Sequence, residues 1–301
     1  MRIAFAGTPD VAIPSLRALL AAGHDVAAVI TRPDAPAGRG RALTPSPIAT
    51  FAVEHNIPVL KPTKLVDVAD ELAALNVECI PVVAYGGLVP AAMLDIPTYG
   101  WINLHFSLLP AWRGAAPVQR ALMAGETRTG ATVFRLVEAL DAGPVFGSIE
   151  RAITPTDTAT SLLAALADDG AALLVHTVNT IADATPTPQP STGVSYAPKL
   201  SKDDARIVWT VPADRVGCQI RGCAPGAWTT IAGDRIGIGP VRLREDITLP
   251  AGALQFDDNV FIGTGTHAVQ LDQVKPAGKD WMPASAWARG LRVKPERVDA
   301  D

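Results

Sequence analysis

One short segment sets an amide, an imidazole and a hydroxyl among leucines and prolines: "NLHFSLLPAWRGAAP", residues 103–117. Asn103 and His105 are two apart in "WINLH", and side chains two apart on an extended strand share a face. Asparagine can donate to an oxygen that gains negative charge, and histidine can take or give a proton near neutral pH. The pair makes a candidate reaction centre; the alternative is a buried Asn–His pair satisfied by backbone. Asp141, in "VEALDAGPVF", is either a loop-capping group or a functional carboxylate. "VVAYGGLVP", residues 82–90, ends an apolar run in a Gly-Gly loop. Such a loop suits gripping a flat, partly apolar ligand through backbone groups, or is a plain strand-end turn.

Other chemistries find little support. The turn after the first apolar run reads "AGTPDV", with one glycine where a dinucleotide fingerprint needs three, which argues against nicotinamide chemistry. Cys79, Cys218 and Cys223 lack metal-ligand spacing, so no metal is expected, and their odd number suits a reducing compartment. The formal charge of -4 excludes a polybasic chain. Residues 1–189 hold 12 Lys+Arg against 17 Asp+Glu, and the remainder 14 against 13, so a polyanion would find the second part less repellent. The first residues lack the apolar core of a signal peptide, and no apolar run looks long enough to cross a membrane. The expectation is a cytoplasmic protein.

The elements that must position these residues follow from patterning. "RIAFAG" reads as a buried parallel strand, "VAIPSLRALLAAG" as a helix closed by Gly23, and "DVAAVIT" as the next strand. Helices are expected at "SPIATFAVEHN", "VDVADELAALN" and "APVQRALMAG", and strands at "IPVL", "VECIPVVAY" and "GWINLH". "TGATVFRL" and "PVFGSIERAI" read as an antiparallel pair, and "TATSLLAALADDGAALLVHTVNTIA" as one long helix or two. This alternation predicts an open, mostly parallel α/β sheet. It places Asn103 and His105 at a strand's C-terminal end, where such sheets hold ligands. "DATPTPQPSTGVSYAPKL" carries four prolines without apolar periodicity and reads as a semi-rigid linker. Beyond it, "ARIVWT" is strand-like, "VPADRVGCQIRGC" helical, and the rest a series of short strands suggesting a small β-barrel. The expected division is 1–184 for the catalytic domain, 185–206 for the linker and 207–301 for the barrel.

The motif Asn103-x-His105-x-Ser107-Leu108-Leu109-Pro110, followed by Leu140-Asp141-x-Gly143, resembles the folate-dependent formyltransferases. "FAGTPDVAIPSLRALLAAGHDV", "TRPDAPAGRGRALTPSPI", "YAPKLSKDDARIVW" and "VKPAGKDWMPASAWARG" resemble, in order and spacing, the branch of that family that acts on methionyl-tRNA. The likeness covers nearly the whole chain. Phe106 stands where the family pattern leads us to expect a small residue, and Gly87 where we expect a larger aliphatic.

The resemblance implies a Rossmann-like core with an OB-like barrel. It implies transfer of a formyl group from 10-formyltetrahydrofolate to the α-amine of initiator methionyl-tRNA, by a monomer that needs no membrane. By the same resemblance, Asn103 and His105 donate to the developing oxyanion while Asp141 manages the proton and favours a charged His105. Folate is expected against Tyr85, Gly86, Gly87, Leu88, Val89 and Pro90, beside Ser107, Leu108, Leu109 and Pro110, and against Val137 and Leu140. Ser107 is also read as a turn or positioning residue. The tRNA is expected on Arg32, Arg39 and Arg41 of an unusually long arginine-bearing loop, on Arg113, and on Lys199, Lys202, Arg206 and Arg221. An amino-sugar formyltransferase, a formyl-folate hydrolase and a noncatalytic tRNA-binding protein are the rival readings.

Overall fold

The computed structural model describes residues 1–37 and 42–299, and these form two compact units. The first comprises Met1–Gly114, Thr129–Arg151 and Leu163–Tyr196; the second comprises Ala115–Arg128, Ala152–Leu162 and Ala197–Asp301. Arg39 and Arg41 lie outside the described residues.

In chain order the elements to the end of the long helix are β1 (Arg2–Gly7), α1 (Ile13–Ala21), β2 (Asp25–Ile30), β3 (Ala35–Ala37), β4 (Ala42–Thr44), α2 (Pro47–Glu54), β5 (Val59–Leu60), α3 (Ala69–Ala74), β6 (Ile80–Val83), α4 (Ala91–Leu94), β7 (Trp101–His105), α5 (Pro117–Ala124), β8 (Arg128–Arg135), β9 (Val145–Ala152) and α6 (Ala159–Thr180). Among the described residues, the main sheet has the order β5-β2-β1-β6-β7-β8-β9. The pairs β2–β5, β1–β2, β1–β6 and β6–β7 are parallel, and β8 lies antiparallel to β7. Ile3, Ala4, Phe5 and Ala6 are all buried, as a strand covered on both faces requires. Ser46 caps α2 by accepting from the Ala49 N–H, and Pro47 takes the first-turn position where no N–H is needed.

Helix α6 is one helix of 22 residues, not two. By length and composition it could cross a membrane, which corrects the expectation that no apolar run is long enough. Its apolar stripe is a core stripe: Leu166, Leu174 and Val178 are buried, and Gly170 leaves room for Leu104 of β7 to pack against its backbone. The long loop after β2 is paired at its base, where β3 and β4 form an antiparallel ribbon.

The second unit adds α7 (Ala213–Cys223), β10 (Trp228–Ile231), β11 (Asp234–Ile238), β12 (Val241–Arg244), β13 (Leu254–Phe256), β14 (Val260–Gly263), β15 (Ala268–Leu271), β16 (Gln273–Lys275), β17 (Met282–Pro283) and α8 (Ala284–Arg289). Two antiparallel sheets, β10-β11-β16-β17 and β12-β15-β14-β13, enclose a core that includes Trp209, Ile220, Ile236, Ile262 and Trp287. Strand β11 passes into β12 across Gly239 and Pro240, and β15 into β16 across Asp272, so the same stretch of chain serves both sheets. "ARIVWT" is not a strand. It makes only the bridge Arg206↔Trp228, because Trp209 and Ile207 turn into the core and leave no extended edge.

The proline-rich stretch is docked rather than free. Thr187 and Val145 exchange both backbone hydrogen bonds, so the first half is tied to the first unit. In the second unit, Arg120 donates to the Pro198 carbonyl and forms a two-pronged pair with Asp204 at 2.7 and 3.1 Å. Arg120, together with the Ser201 N–H, holds the Asp204 carboxyl well below the usual carboxylate range. We expect Asp204→Asn to destabilise the second unit by about 1.5–3 kcal/mol, read as a lowered melting midpoint at neutral pH. Because the folded carboxyl binds its proton less readily than the unfolded one, the deficit is full near neutrality and shrinks as acid protonates the wild-type group.

Candidate active site

Strand β7 ends at His105 with Asn103 on the same face, since Val82 and Phe134 flank Asn103 in register and Thr132 flanks His105. His105 is 6% exposed. Its Nε2 lies 2.8 Å from the Trp112 carbonyl, which can only accept, so Nε2 carries the proton. The other ring nitrogen, Nδ1, is 3.8 Å from Asp141 Oδ2. Asp141 Oδ2 in turn accepts the Gly114 N–H at 2.7 Å. Asn103 is half-buried, and its amide has no hydrogen-bond partner among the described residues.

The approach of Asp141 is not a sheet contact. Since β8 runs antiparallel to β7, the chain leaves β8 beside Trp101, at the far end of β7 from His105. The segment 136–144 folds back along the sheet to return Asp141. Gly143 permits this: a Cβ there would fall 1.8 Å from the Arg135 carbonyl oxygen. Asp141 itself adopts φ +45°, a region that aspartate tolerates better than most residues.

Burial pushes the His105 pKa below the ordinary imidazole value, outweighing the Asp141 carboxylate and the Trp112 contact, which raise it. This corrects the expected charged His105. The resting ring is neutral, with Nε2–H committed to a carbonyl and a bare Nδ1 facing the carboxylate.

The other expected site residues divide. Leu88 is 83% exposed and Leu140 61% exposed, which leaves both apolar side chains available to a ligand, with Val137 partly so. Gly86 needs its glycine for φ +74°, and a Cβ on Gly87 would meet the Tyr85 ring at 2.6 Å, which accounts for glycine at that position. Val89 and Pro90 continue the loop half-buried. Tyr85 is buried rather than offered to solvent. Its carbonyl accepts from Thr8, and its buried hydroxyl lies close to the Arg32 guanidinium; burial raises the phenol's pKa against the opposing pull of that guanidinium.

Ser107 is fully buried, with its hydroxyl donated to the Ala111 carbonyl and its own carbonyl accepting from Thr132, so it shapes the turn. Leu108 packs over Gly130, the Leu109 N–H donates to Thr132, and the Pro110 carbonyl accepts from Ser195.

Two of the expected tRNA contacts have partners within the chain. The Arg113 guanidinium donates twice to Gln189 Oε1, at 3.2 and 2.6 Å. Arg221 donates to the Thr154 and Asp157 carbonyls and to Cys218. Arg32 sits half-buried at the base of its loop, near the Thr63 carbonyl, and Arg206 lies over the Trp228 ring. Lys199 and Lys202 are exposed. Sequence reading passed over Gln189, Ser195 and Gly114, whose only signal is a polar or small residue in a loop.

The formyl transferase pattern matches residues 1–178, and the pattern of the formyl transferase C-terminal domain matches residues 199–292. The chain belongs to the formyl transferase family. It is similar to the methionyl-tRNA formyltransferase of Thermobifida fusca (strain YX), 56% identical over 301 residues and 97% of each chain. The methionyl-tRNA formyltransferase of Streptomyces coelicolor is 52% identical over 309 residues and 99% of each chain. Two solved structures share the fold. The N-formyltransferase from Helicobacter canadensis, in complex with folinic acid and dTDP-3-aminofucose, superposes at TM-score 0.68 and 18% identity over 89% of this chain and 97% of its own. Methionyl-tRNA formyltransferase from Clostridium thermocellum superposes at TM-score 0.59 and 13% identity over 81% and 94%.

Proposed function

We propose that this chain transfers the formyl group of 10-formyltetrahydrofolate to the α-amine of initiator methionyl-tRNA, acting as a cytoplasmic monomer. The full-length similarity to enzymes of that name carries the reading, and a buried imidazole paired with Asp141, beside an amide without a partner among the described residues, suits the chemistry.

The amine must lose a proton as its nitrogen bonds to the formyl carbon. His105 Nδ1 is bare and takes that proton, and the Asp141 carboxylate steadies the imidazolium while it lasts. The Asn103 amide donates to the formyl oxygen as the carbonyl electrons move onto it. When the bond from the formyl carbon to the donor nitrogen breaks, His105 returns its proton to the leaving nitrogen and is neutral again. The residue we expected to hold the oxyanion as a cation is thereby assigned the proton instead, and the oxyanion is left to Asn103. The exposed leucines 88 and 140 offer an apolar wall for the pterin. Lys199 and Lys202 suit tRNA phosphates, an interaction that weakens with salt.

The deciding assay supplies 10-formyltetrahydrofolate with methionyl-tRNA in one arm and a nucleotide-linked amino sugar in the other. Formylation of the tRNA alone is expected. Formylation of the sugar alone would overturn the proposal.

A further inference from the structure

The segment read as a spacer touches both halves of the His–Asp pair. Two of the residues that frame His105 have backbones in the left-handed region, Trp112 at φ +61° and Asp141 at φ +45°. A bulky aromatic residue is costly there, and such conformations persist only where surroundings over-determine them. The surroundings are the docked stretch. Ser195 Oγ accepts the Trp112 N–H at 2.9 Å, and the Ser195 carbonyl accepts the Arg113 N–H at 2.9 Å. These bonds fix the peptide whose carbonyl receives His105 Nε2–H. On the other side, Gln189 Nε2 donates to the Asp141 and Gly143 carbonyls, each at 2.8 Å, while its Oε1 takes both donors from Arg113. Thr187, two residues earlier, is locked to Val145 through backbone.

We propose that Gln189 is a positioning residue: by tying Arg113 to the Asp141–Gly143 backbone it sets the gap between the Asp141 carboxylate and His105 Nδ1. The proposal deepens the functional reading above and rests on it for the catalytic consequence, although not for the geometric one. A glutamine fits because the position needs one acceptor for a guanidinium and two donors for carbonyls. The Gln189 amide provides both from one planar group. Its substitution leaves two carbonyls without donors and lets the strained Asp141 turn relax. Asp141 is the charged group that acts on His105, whose remaining surroundings include the Phe134 ring and the Trp112 carbonyl. Withdrawing the carboxylate therefore changes what the ring feels.

The test is Gln189→Met in the full chain, with two readouts. The first is the His105 titration followed by NMR in the free protein, assigned by comparison with His105→Gln. The second is steady-state formyl transfer. We expect the His105 midpoint to move to lower pH, kcat to fall about tenfold or more, and both KM values to stay within about twofold. An unchanged midpoint with unchanged kcat, even in a less stable protein, would overturn the proposal. So would a rise in KM at constant kcat, because Gln189 would then be serving substrate binding. If Gln189→Met does not fold, Gln189→Glu is the second variant. It keeps the acceptor for Arg113, removes the two donated bonds and sets a charged oxygen against the Asp141 and Gly143 carbonyls, so a wild-type pH profile of kcat in it is equally fatal. The NMR arm needs no substrate. Absence of transfer in the wild-type protein would sink the functional reading while leaving the midpoint shift to be found or not.

Discussion

His105→Gln is expected to lower kcat for formyl transfer by about 10²–10⁴-fold, the usual yield of a positioned acid–base group, with the fold retained. Glutamine fits because its amide N–H can replace Nε2–H as donor to the Trp112 carbonyl, while nothing in it accepts and then releases a proton as Nδ1 does. Affinity for methionyl-tRNA, measured by direct binding, should be little altered.

The pH profile separates this role from the one the sequence suggested. A ring whose pKa lies below the ordinary value in the free enzyme places the acidic limb that it sets in kcat/KM below the ordinary imidazole value. A ring that had to be charged would instead gain activity on acidification. Asp141→Asn should move the limb lower still, since the carboxylate raises the His105 pKa. Asparagine also accepts the backbone conformation at 141, so the charge changes without the turn. A limb at or above the ordinary imidazole value in wild type would contradict a neutral resting ring. The same depression costs stability in acid: the unfolded chain takes up the His105 proton first, so folding loses free energy as pH falls below about 6.5 and none above it.

Local features were legible because local chemistry sets them. The alternation in "WINLH" put Asn103 and His105 on one face, and Gly23 marked a helix end that the structure keeps. The Asp141 approach was not legible. It depends on β8 running back along β7 and on a loop returning over the sheet, and neither leaves a periodic trace. The proline-rich stretch misled for a related reason. Prolines and polar residues without periodicity look like a spacer, yet docking here needs only Thr187 backbone and the side chains of Gln189 and Ser195, each with a partner remote in sequence. The pull of Asp141 on His105 was legible because a sequence shows the charged neighbour; the desolvation that outweighs it was not. The intramolecular partners of Arg113 and Arg221 were hidden for a similar reason: an arginine's partners are backbone carbonyls and amides as readily as anions, and only the fold shows them.

Asn103→Ala is the second large effect, expected to reduce kcat by about 10²–10³-fold, roughly 2.7–4 kcal/mol of transition-state stabilisation. The amide has no partner among the described residues, so its removal strands no buried group and should leave the melting midpoint close to wild type. The loss belongs in kcat because the hydrogen bond strengthens as the formyl oxygen gains charge and is weak to the neutral carbonyl of the bound donor. Both KM values should therefore stay near wild type, and kcat/KM should fall with kcat. Asn103→Asp sharpens the argument, because a carboxylate of nearly the same shape is an acceptor and places negative charge where the oxyanion forms. It should be at least as damaging as alanine. If alanine instead raised KM for the folate donor and spared kcat, Asn103 would be a ground-state contact, and the stabilisation of the oxyanion would have to come from backbone N–H groups of the turn that follows β7.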